Sequence, residues 1–422
     1  MLGVCVYEQV MSYEPIPPLT KDDLEELLQT KVDRFTISPL TAPGENYGST
    51  MLLVDAILLP DHKKISIAAK LVSESPRMRE IFCFRETVTK EICTYMQVRP
   101  EFHAIQKEYG VPEELFLDVI PRCYGARTTL GGGIDQPVDE SSAILLENLK
   151  VSGYRLADRL VGLDLNHLQY VVTRLARFHA TAIVIKLKKP DVFKDTVMKA
   201  ATFVKGGPPS GDPGKNNLAD SVTAISHLPV VSQYMDRISK SIERMHDRMK
   251  KHERPEGREP FATFVHADFW TNNMMFAYGG SNGEEITGLK IFDFQMPTYG
   301  SPATDLLFLL YSSRTIDVSK EDCNMLIKLY HDEFIKWLKL FGCDTEPFSY
   351  ENFLKEIESE GRDCFTHSLF FIKISSLPES KAPNLLDKSE FDKIFGDING
   401  LGNTYFTKIE NLIEEFVERN WL

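Results

Sequence analysis

Apolar and polar positions change rhythm along this chain, and each change predicts an element. Residues 1–19 read as an N-terminal tail with Pro15, Pro17 and Pro18 near its end. A helix follows. Thr20 can cap it, Asp22 and Asp23 sit in its positive first turn, and Leu24, Leu27, Leu28, Val32 and Phe35 make one apolar stripe. Alternation then takes over. TISPLTAPGENYGSTMLLVDAILL predicts two strands around a Pro/Gly turn, and HKKISIAAKLV a third after Pro60-Asp61. A helix is expected from about Met78 to Val98, stopped by Pro100. Further β segments in 117–147 are split by GGGIDQPVDESS, expected to be flexible, and end in the apolar AILLENL.

Helical spacing dominates the rest. LNHLQYVVTRLARFHATAIVI carries apolar residues every third or fourth position. GGPPSGDPGKNN (206–217) predicts a mobile loop, and 230–252 a helix with Ile238, Ile242, Met245 and Met249 inward. Its other face carries Arg237, Lys240, Arg244, Arg248 and Lys251. Asp236, Glu243 and Asp247 interleave with them, so this is read as a solvated face rather than a phosphate surface. The segments TFVHADF, NMMFAY and TGLKIFDF interrupt with a β-hairpin. Helices then resume, the last striped by Ile409, Leu412, Ile413, Phe416 and Val417. No internal repeat is visible. The prediction is an α+β chain: a sheet-plus-helix lobe over 20–143, an apolar connector at 144–149 and a helical lobe over 150–422.

Composition narrows the class. Apolar residues are 43% and charged residues 26%, ordinary globular usage that excludes a disordered or fibrous chain. The net charge of −13 speaks against broad binding to nucleic acid or anionic membrane. The seven cysteines form no C-x-x-C pair, which fits a reducing compartment without a zinc knuckle. The N-terminus lacks a secretory pattern, and no apolar run reaches the about 18 residues a membrane span needs. A cytoplasmic protein is expected.

The chemistry concentrates in 264–295. His266-Ala267-Asp268-Phe269-Trp270-Thr271-Asn272-Asn273, followed after a hairpin by Asp293-Phe294-Gln295, has the layout of a phosphoryl-transfer site. Such a site needs a carboxylate beside the attacking hydroxyl, and Asp268 fits. It also needs hard oxygen ligands for Mg²⁺, and Asn273 and Asp293 fit. In the first third, Ala68 and Lys70 share one strand face, a small residue beside an ammonium that can reach phosphates. Glu80, Glu86 and Glu91 on the next helix are candidate partners for Lys70.

On GENYGS (44–49), AAK (68–70), TKEICTYMQVRPEF (89–102), ILLENL (144–149), LARFHA (175–180), FVHADFWTNNMMF (264–276), IFDFQ (291–295) and SPATDLLFLL (301–310), the chain resembles the ecdysteroid-kinase-like family. These are small-molecule kinases related to choline kinases and aminoglycoside phosphotransferases. The resemblance implies a protein-kinase-like two-lobed fold, ATP and Mg²⁺ as cofactors, Asp268 as catalytic base, and Asn273 and Asp293 as magnesium ligands. Lys70 would bind the α/β-phosphates with Glu91, rather than Glu86, as its partner. The hinge 145–149, Glu147 and Leu149 among it, would offer backbone groups to adenine. The acceptor implied is a small-molecule alcohol such as an ecdysteroid or xenobiotic, in a pocket drawn from 186–235 and 315–400.

The sequence departs from relatives of this fold in places. The phosphate-covering turn has only Gly44 and Gly48, which hands part of its work to Asn46, Tyr47 and Ser49. Ala267 stands where glycine is frequent. Gln295 replaces the glycine of protein kinases, and no A-P-E segment follows, so a protein kinase is not expected. His266 and His179 read as packing residues. Asp305 has two readings left open, a residue favouring the positive end of a helix that Ser301 caps and Pro302 begins, or a brace for the catalytic loop. Phe269 and Trp270 are read as packing, with the acceptor pocket as the alternative. Two other functions stay open: a catalytically silent ligand-binding protein, and a choline- or aminoglycoside-type kinase with an acidic acceptor pocket.

Overall fold

The computed structural model describes residues 19–40, 48–201, 213–250, 258–377 and 395–422. Thr20 starts the first element. Its side chain accepts the Asp23 N–H while the Asp23 carboxylate accepts that of Thr20, a reciprocal cap on helix α1 (Lys21–Leu28). Gln29 then turns left-handed at φ 50° and ends the helix after two turns. Val32 and Phe35, expected in its stripe, instead belong to strand β1 (Val32–Pro39). Val32 lies four residues beyond Leu28, so helical spacing ran on across the break. Leu19, expected in the tail, is buried with Leu24 and Leu27 against the sheet.

Strands β2 (Ser49–Leu58) and β3 (Lys63–Val72) continue antiparallel from β1. With β4 (Cys123–Arg127) and β5 (Ala143–Glu147) they form one sheet in the order β1-β2-β3-β5-β4. The pleat divides β3. Ile67, Ala69 and Leu71 pack toward α1, and Ala68 and Lys70 face the other way. The β4–β5 connection is tied by Asp139, whose carboxylate accepts from Thr129 Oγ1 and from the backbone and hydroxyl of Ser141.

The single helix expected over 78–98 is divided. Helix α2 (Pro76–Ile81) and α3 (Phe84–Cys93) are separated by Cys83 at φ 46°. Pro100 does not stop the run. A π-helical turn at Thr94–Val98 leads straight into α4 (Arg99–Glu108), with the Arg99 N–H reaching back five residues to Thr94. Widening the ladder there accommodates a residue that has no N–H to give.

In the helical lobe a short strand β6 (Arg155–Leu156) precedes α5 (Leu165–Lys188), capped by Asp164. The expected loop at 206–217 is corrected in part: Pro213 opens helix α6 (Pro213–Ala224), as proline can in a first turn. Residues 206–212 lie outside the described residues. Helix α7 (Pro229–Lys250) buries Ile238 and Ile242, with Met245 partly covered. Lys251 and the side chain of Met249 are not described. On its basic face Arg237 holds the Leu422 carbonyl and Arg248 pairs with Asp363. The expected hairpin is β8 (Met274–Gly279) with β9 (Glu285–Ile291), widened at its edge by β6. A separate ribbon, not anticipated, pairs β7 (Thr263–Val265) with β10 (Thr298–Gly300).

Helices α8 (Ala303–Ser313), α9 (Lys320–Leu340), α10 (Tyr350–Ser375) and α11 (Asn403–Glu418) complete the lobe. Ile409, Leu412, Ile413 and Phe416 are buried as their spacing predicted. Among the described residues no helix is long and apolar enough to cross a membrane. The six described cysteines are unpaired. Burial pushes the thiols of Cys123 and Cys364 up to about 12, so neither is a ready nucleophile.

Candidate active site

Strand β7 delivers the chain to His266, and a buried carboxylate catches it there. Asp305, in the first turn of α8 and 0% exposed, accepts the His266 N–H at 2.7 Å and the Ala267 N–H at 2.8 Å. Of its two readings, the loop brace is the one these bonds describe. The helix itself is capped by Pro302 rather than Ser301, although the Ser301 hydroxyl still accepts the Ala303 N–H. Burial alone would raise the Asp305 carboxyl. The hydrogen bond of His179, with the backbone N–H of His266, outweighs it and holds the group below its usual range. His179 is in the core as expected, yet it is polar in role: it lies 3.1 Å from Asp305 and 2.7 Å from the Tyr330 hydroxyl. Thr263 Oγ1 donates to the His179 carbonyl and fastens β7 to α5.

Ala267 has φ 63°, a left-handed conformation that costs a residue with a Cβ about 1–2 kcal/mol. Its N–H bond to Asp305 holds it there. His266 is fully buried. Its Nδ1 accepts the Asp268 N–H at 3.3 Å and its Nε2 donates to the Phe292 carbonyl at 3.0 Å, which requires the neutral ring. Burial lowers its pKa and agrees with that state. The packing role expected for His266 therefore includes fastening one functional loop to the other.

The Asp268 carboxylate lies beside Asn273. The Asn273 Nδ2 donates to the Asp268 carbonyl at 2.8 Å and to its Oδ2 at 2.7 Å. Burial, and after it the charge of Asp293, push the Asp268 carboxyl up to about 7; Asn273 and Trp270 pull the other way. Trp270 is half-buried, edge-on to Phe371 at 4.9 Å, and its indole N–H makes no full hydrogen bond. Phe269 is buried as packing. The loop closes where the Thr271 N–H meets Ser313 Oγ at 3.1 Å.

Opposite stands Asp293, also left-handed at φ 67°. Its N–H donates to the Tyr95 hydroxyl, and Phe294 behind it is fully buried against Tyr95 and His266. Lys70 Nζ is 2.7 Å from Asp293 Oδ1 and 2.9 Å and 2.8 Å from the two Glu91 oxygens. Glu80 and Glu86 are exposed and make no contact with it. Burial opposes the Lys70 charge, but Asp293 and Glu91 outweigh burial and raise its pKa, so it stays protonated. Burial also pushes the Glu91 carboxyl upward.

Chemistry decides what this donor set can hold. Among the described residues no cluster of three His, Cys, Asp or Glu side chains forms an all-protein metal cage. One amide oxygen from Asn273 and one carboxylate from Asp293, whose side chain is 35% exposed, suit a hard cation that keeps waters and leans on phosphate.

The other named residues lie at the rim. Asn46, Tyr47 and Gly44 fall outside the described residues. Ser49 is the first residue of β2, opposite Val72, and a methyl on Gly48 would lie 3.6 Å from Gln295 Oε1, so the start of this strand lies close to the Asp293 loop. At the connector the Glu147 N–H donates to the Arg122 carbonyl, and the Leu149 carbonyl accepts from Tyr154. The Glu147 carboxylate is occupied by the Arg122 N–H and Lys290.

Tyr95, Tyr330 and the polar role of His179 were not anticipated. The π-turn that aims Tyr95 leaves no periodic trace, and Tyr330 is one apolar-stripe residue among many. The comparisons agree with the region these loops occupy: the ecdysteroid kinase-like family matches residues 43–343. No curated protein matches the chain.

Proposed function

The chain belongs to the ecdysteroid kinase-like family of small-molecule kinases, and from that premise we propose that it transfers the γ-phosphoryl group of ATP, with Mg²⁺, to a hydroxyl of a small molecule. The observation that carries this is that the Phe292 N–H donates to the Asn273 carbonyl, so that Asp293, paired with Lys70, comes beside the Asp268–Asn273 pair and its charge acts on Asp268. Asp268 takes the proton of the acceptor alcohol as its oxygen attacks. Its raised pKa makes it a stronger base than a surface carboxylate. Lys70, aimed by Glu91, would meet the phosphate oxygens with its ammonium. Asn273 and Asp293 would hold the magnesium, which would supply charge neutralisation on the phosphates. Asp305, His179 and Tyr330 position the loop that carries the base; they do not touch the reactants.

The acceptor is an ecdysteroid or xenobiotic alcohol on the family's precedent, and the setting is cytoplasmic, in keeping with the unpaired cysteines. The test is a phosphorylation screen across steroids, glycosides and amino alcohols with mass detection. A product heavier by one phosphoryl group, formed only with ATP and Mg²⁺, is the expected result. No product and no ATP turnover with any alcohol would favour a silent binding protein.

Substitutions around Lys70 should rank. Lys70→Met loses the point charge on the phosphates and should lower kcat/KM by about 10²-fold or more. Glu91→Gln should lower it less, because it only loosens the aim of the lysine. Glu86→Gln, on an exposed surface, should leave it unchanged. Steady-state kinetics with the acceptor found above reads the order, and a damaging Glu86→Gln beside a silent Glu91→Gln would refute it.

A further inference from the structure

The segment that carries Asp293 is fastened at both ends to the helical lobe. The Phe292 N–H donates to the Asn273 carbonyl, the Phe292 carbonyl accepts from His266 Nε2, and Thr298–Gly300 pair with β7. Between these ends, residues 293–297 lean the other way, on α3 and the π-turn that follows it. The Asp293 N–H meets the Tyr95 hydroxyl at 3.3 Å, the Asp293 carboxylate meets Glu91 through Lys70, and the Gln295 amide approaches the Glu91 carboxylate. A residue with no part in the phosphoryl-transfer chemistry makes a further contact: Lys90 Nζ donates to the Pro297 carbonyl at 2.7 Å.

Lys90 is only 3% exposed. A buried ammonium is costly unless hydrogen bonds hold it, and a methionine here would fill the same space without that cost. What the ammonium adds is a grip on the Pro297 carbonyl, with the strength of a charged donor. Lys90 and Glu91 are successive helical residues, so their side chains leave α3 about 100° apart. A loop that meets both is held from two directions, at Asp293 and at Pro297, and cannot pivot about one contact alone. Glu91 and Tyr95, four positions apart, take hold of it from one face.

We propose that Lys90 is a positioning residue for the metal-binding half of the site: by holding the Pro297 carbonyl it makes the Asp293 carboxylate take its place from α3. This rests on the reading of Asn273 and Asp293 as magnesium ligands. The two ligands then answer to different parts of the molecule. Asn273 belongs to the loop that Asp305 and Ser313 brace from α8, whereas Asp293 is set from the small lobe. Lys90 acts through the backbone at Pro297 and so governs how the two ligand oxygens stand to one another when magnesium arrives.

Calorimetry with the full chain, ATP and no acceptor tests this without turnover. The quantity read is the ratio of ATP affinities with and without Mg²⁺. Lys90→Met should lower that ratio by about tenfold, the usual cost of losing a group that orients a metal ligand, and leave the metal-free affinity unchanged. A ratio unchanged in Lys90→Met would overturn the proposal and leave Lys90 a packing residue. A wild type whose ATP affinity ignores Mg²⁺ would instead refute the metal reading of Asn273 and Asp293, and the role of Lys90 with it. Deuterium exchange of the unliganded wild type needs no variant. The amides of 293–296 should open together with those of 88–95, with the same dependence on urea. If they open with those of 264–273 instead, α3 is not what holds the loop, and the proposal falls.

Discussion

Asp268→Asn should cut phosphorylation by about 10²–10⁴, the worth of a positioned general base, while ATP affinity survives. The amide keeps the size of the side chain and can still meet Asn273, but it cannot take the hydroxyl proton. Lys70, Glu91 and Asp293 are untouched, so the two readouts should separate. The wild-type pH profile supplies an independent check. As the proposed base Asp268 would work as the carboxylate, and its group is pushed up to about 7, so kcat/KM should rise with pH through that region. Asp293 is the second cause of the elevation. A cation bound at Asp293 should therefore draw the limb of the kcat profile to lower pH than that of kcat/KM. The sign for stability is opposite. A carboxyl whose pKa is higher in the fold than in the unfolded chain costs stability as pH rises from its unfolded value toward 7. Asp268→Asn should thus melt no lower than the wild type at pH 8. Phosphorylation intact in the variant would remove Asp268 from the mechanism.

Asp293→Asn should abolish MgATP-dependent turnover and leave the fold in place. The substitution strips a charge from the proposed metal-binding pair and from the ion pair with Lys70 at once. The side chain is 35% exposed, and its neighbours Tyr95 and Phe294 are held by packing that the change does not touch. Asparagine also tolerates the left-handed backbone this position needs. Circular dichroism should be unchanged while turnover disappears. The same variant should lower the Asp268 pKa, since a like charge opposite it has gone. Turnover within a few-fold of the wild type would show that the metal lies elsewhere.

How far the sequence could be read depended on whether a residue's work was local. Alternation along β3 was enough to put Ala68 and Lys70 on one face, because a strand's two faces follow from backbone geometry. The 264–295 run was readable because its parts sit close together along the chain. Element ends were harder. Val32 fits a helical stripe and a strand equally, and only the left-handed turn at Gln29 decides between them. Pro100 was read as a stop because a proline usually is one; the π-turn before it changes that rule. Asp305 stayed open because its function lies in two N–H groups 39 and 38 positions away. Tyr330, 151 positions from His179, carries no local mark at all.

The hold that Asp305 has on the catalytic loop implies something about time as well as place. The amide protons of His266 and Ala267 point at a carboxylate with no exposed surface, itself locked by His179. Solvent can reach them only when β7, α5 and α8 come apart, which is an opening on the scale of the whole lobe. In deuterium-exchange measurements these two amides should rank with the slowest of the lobe's core, although they adjoin Asp268, the proposed base. Exchange at the rate of a surface loop would mean that Asp305 releases them in ordinary fluctuations. The part of such a molecule that must be placed most accurately is then also the part that remembers longest the water in which it was folded.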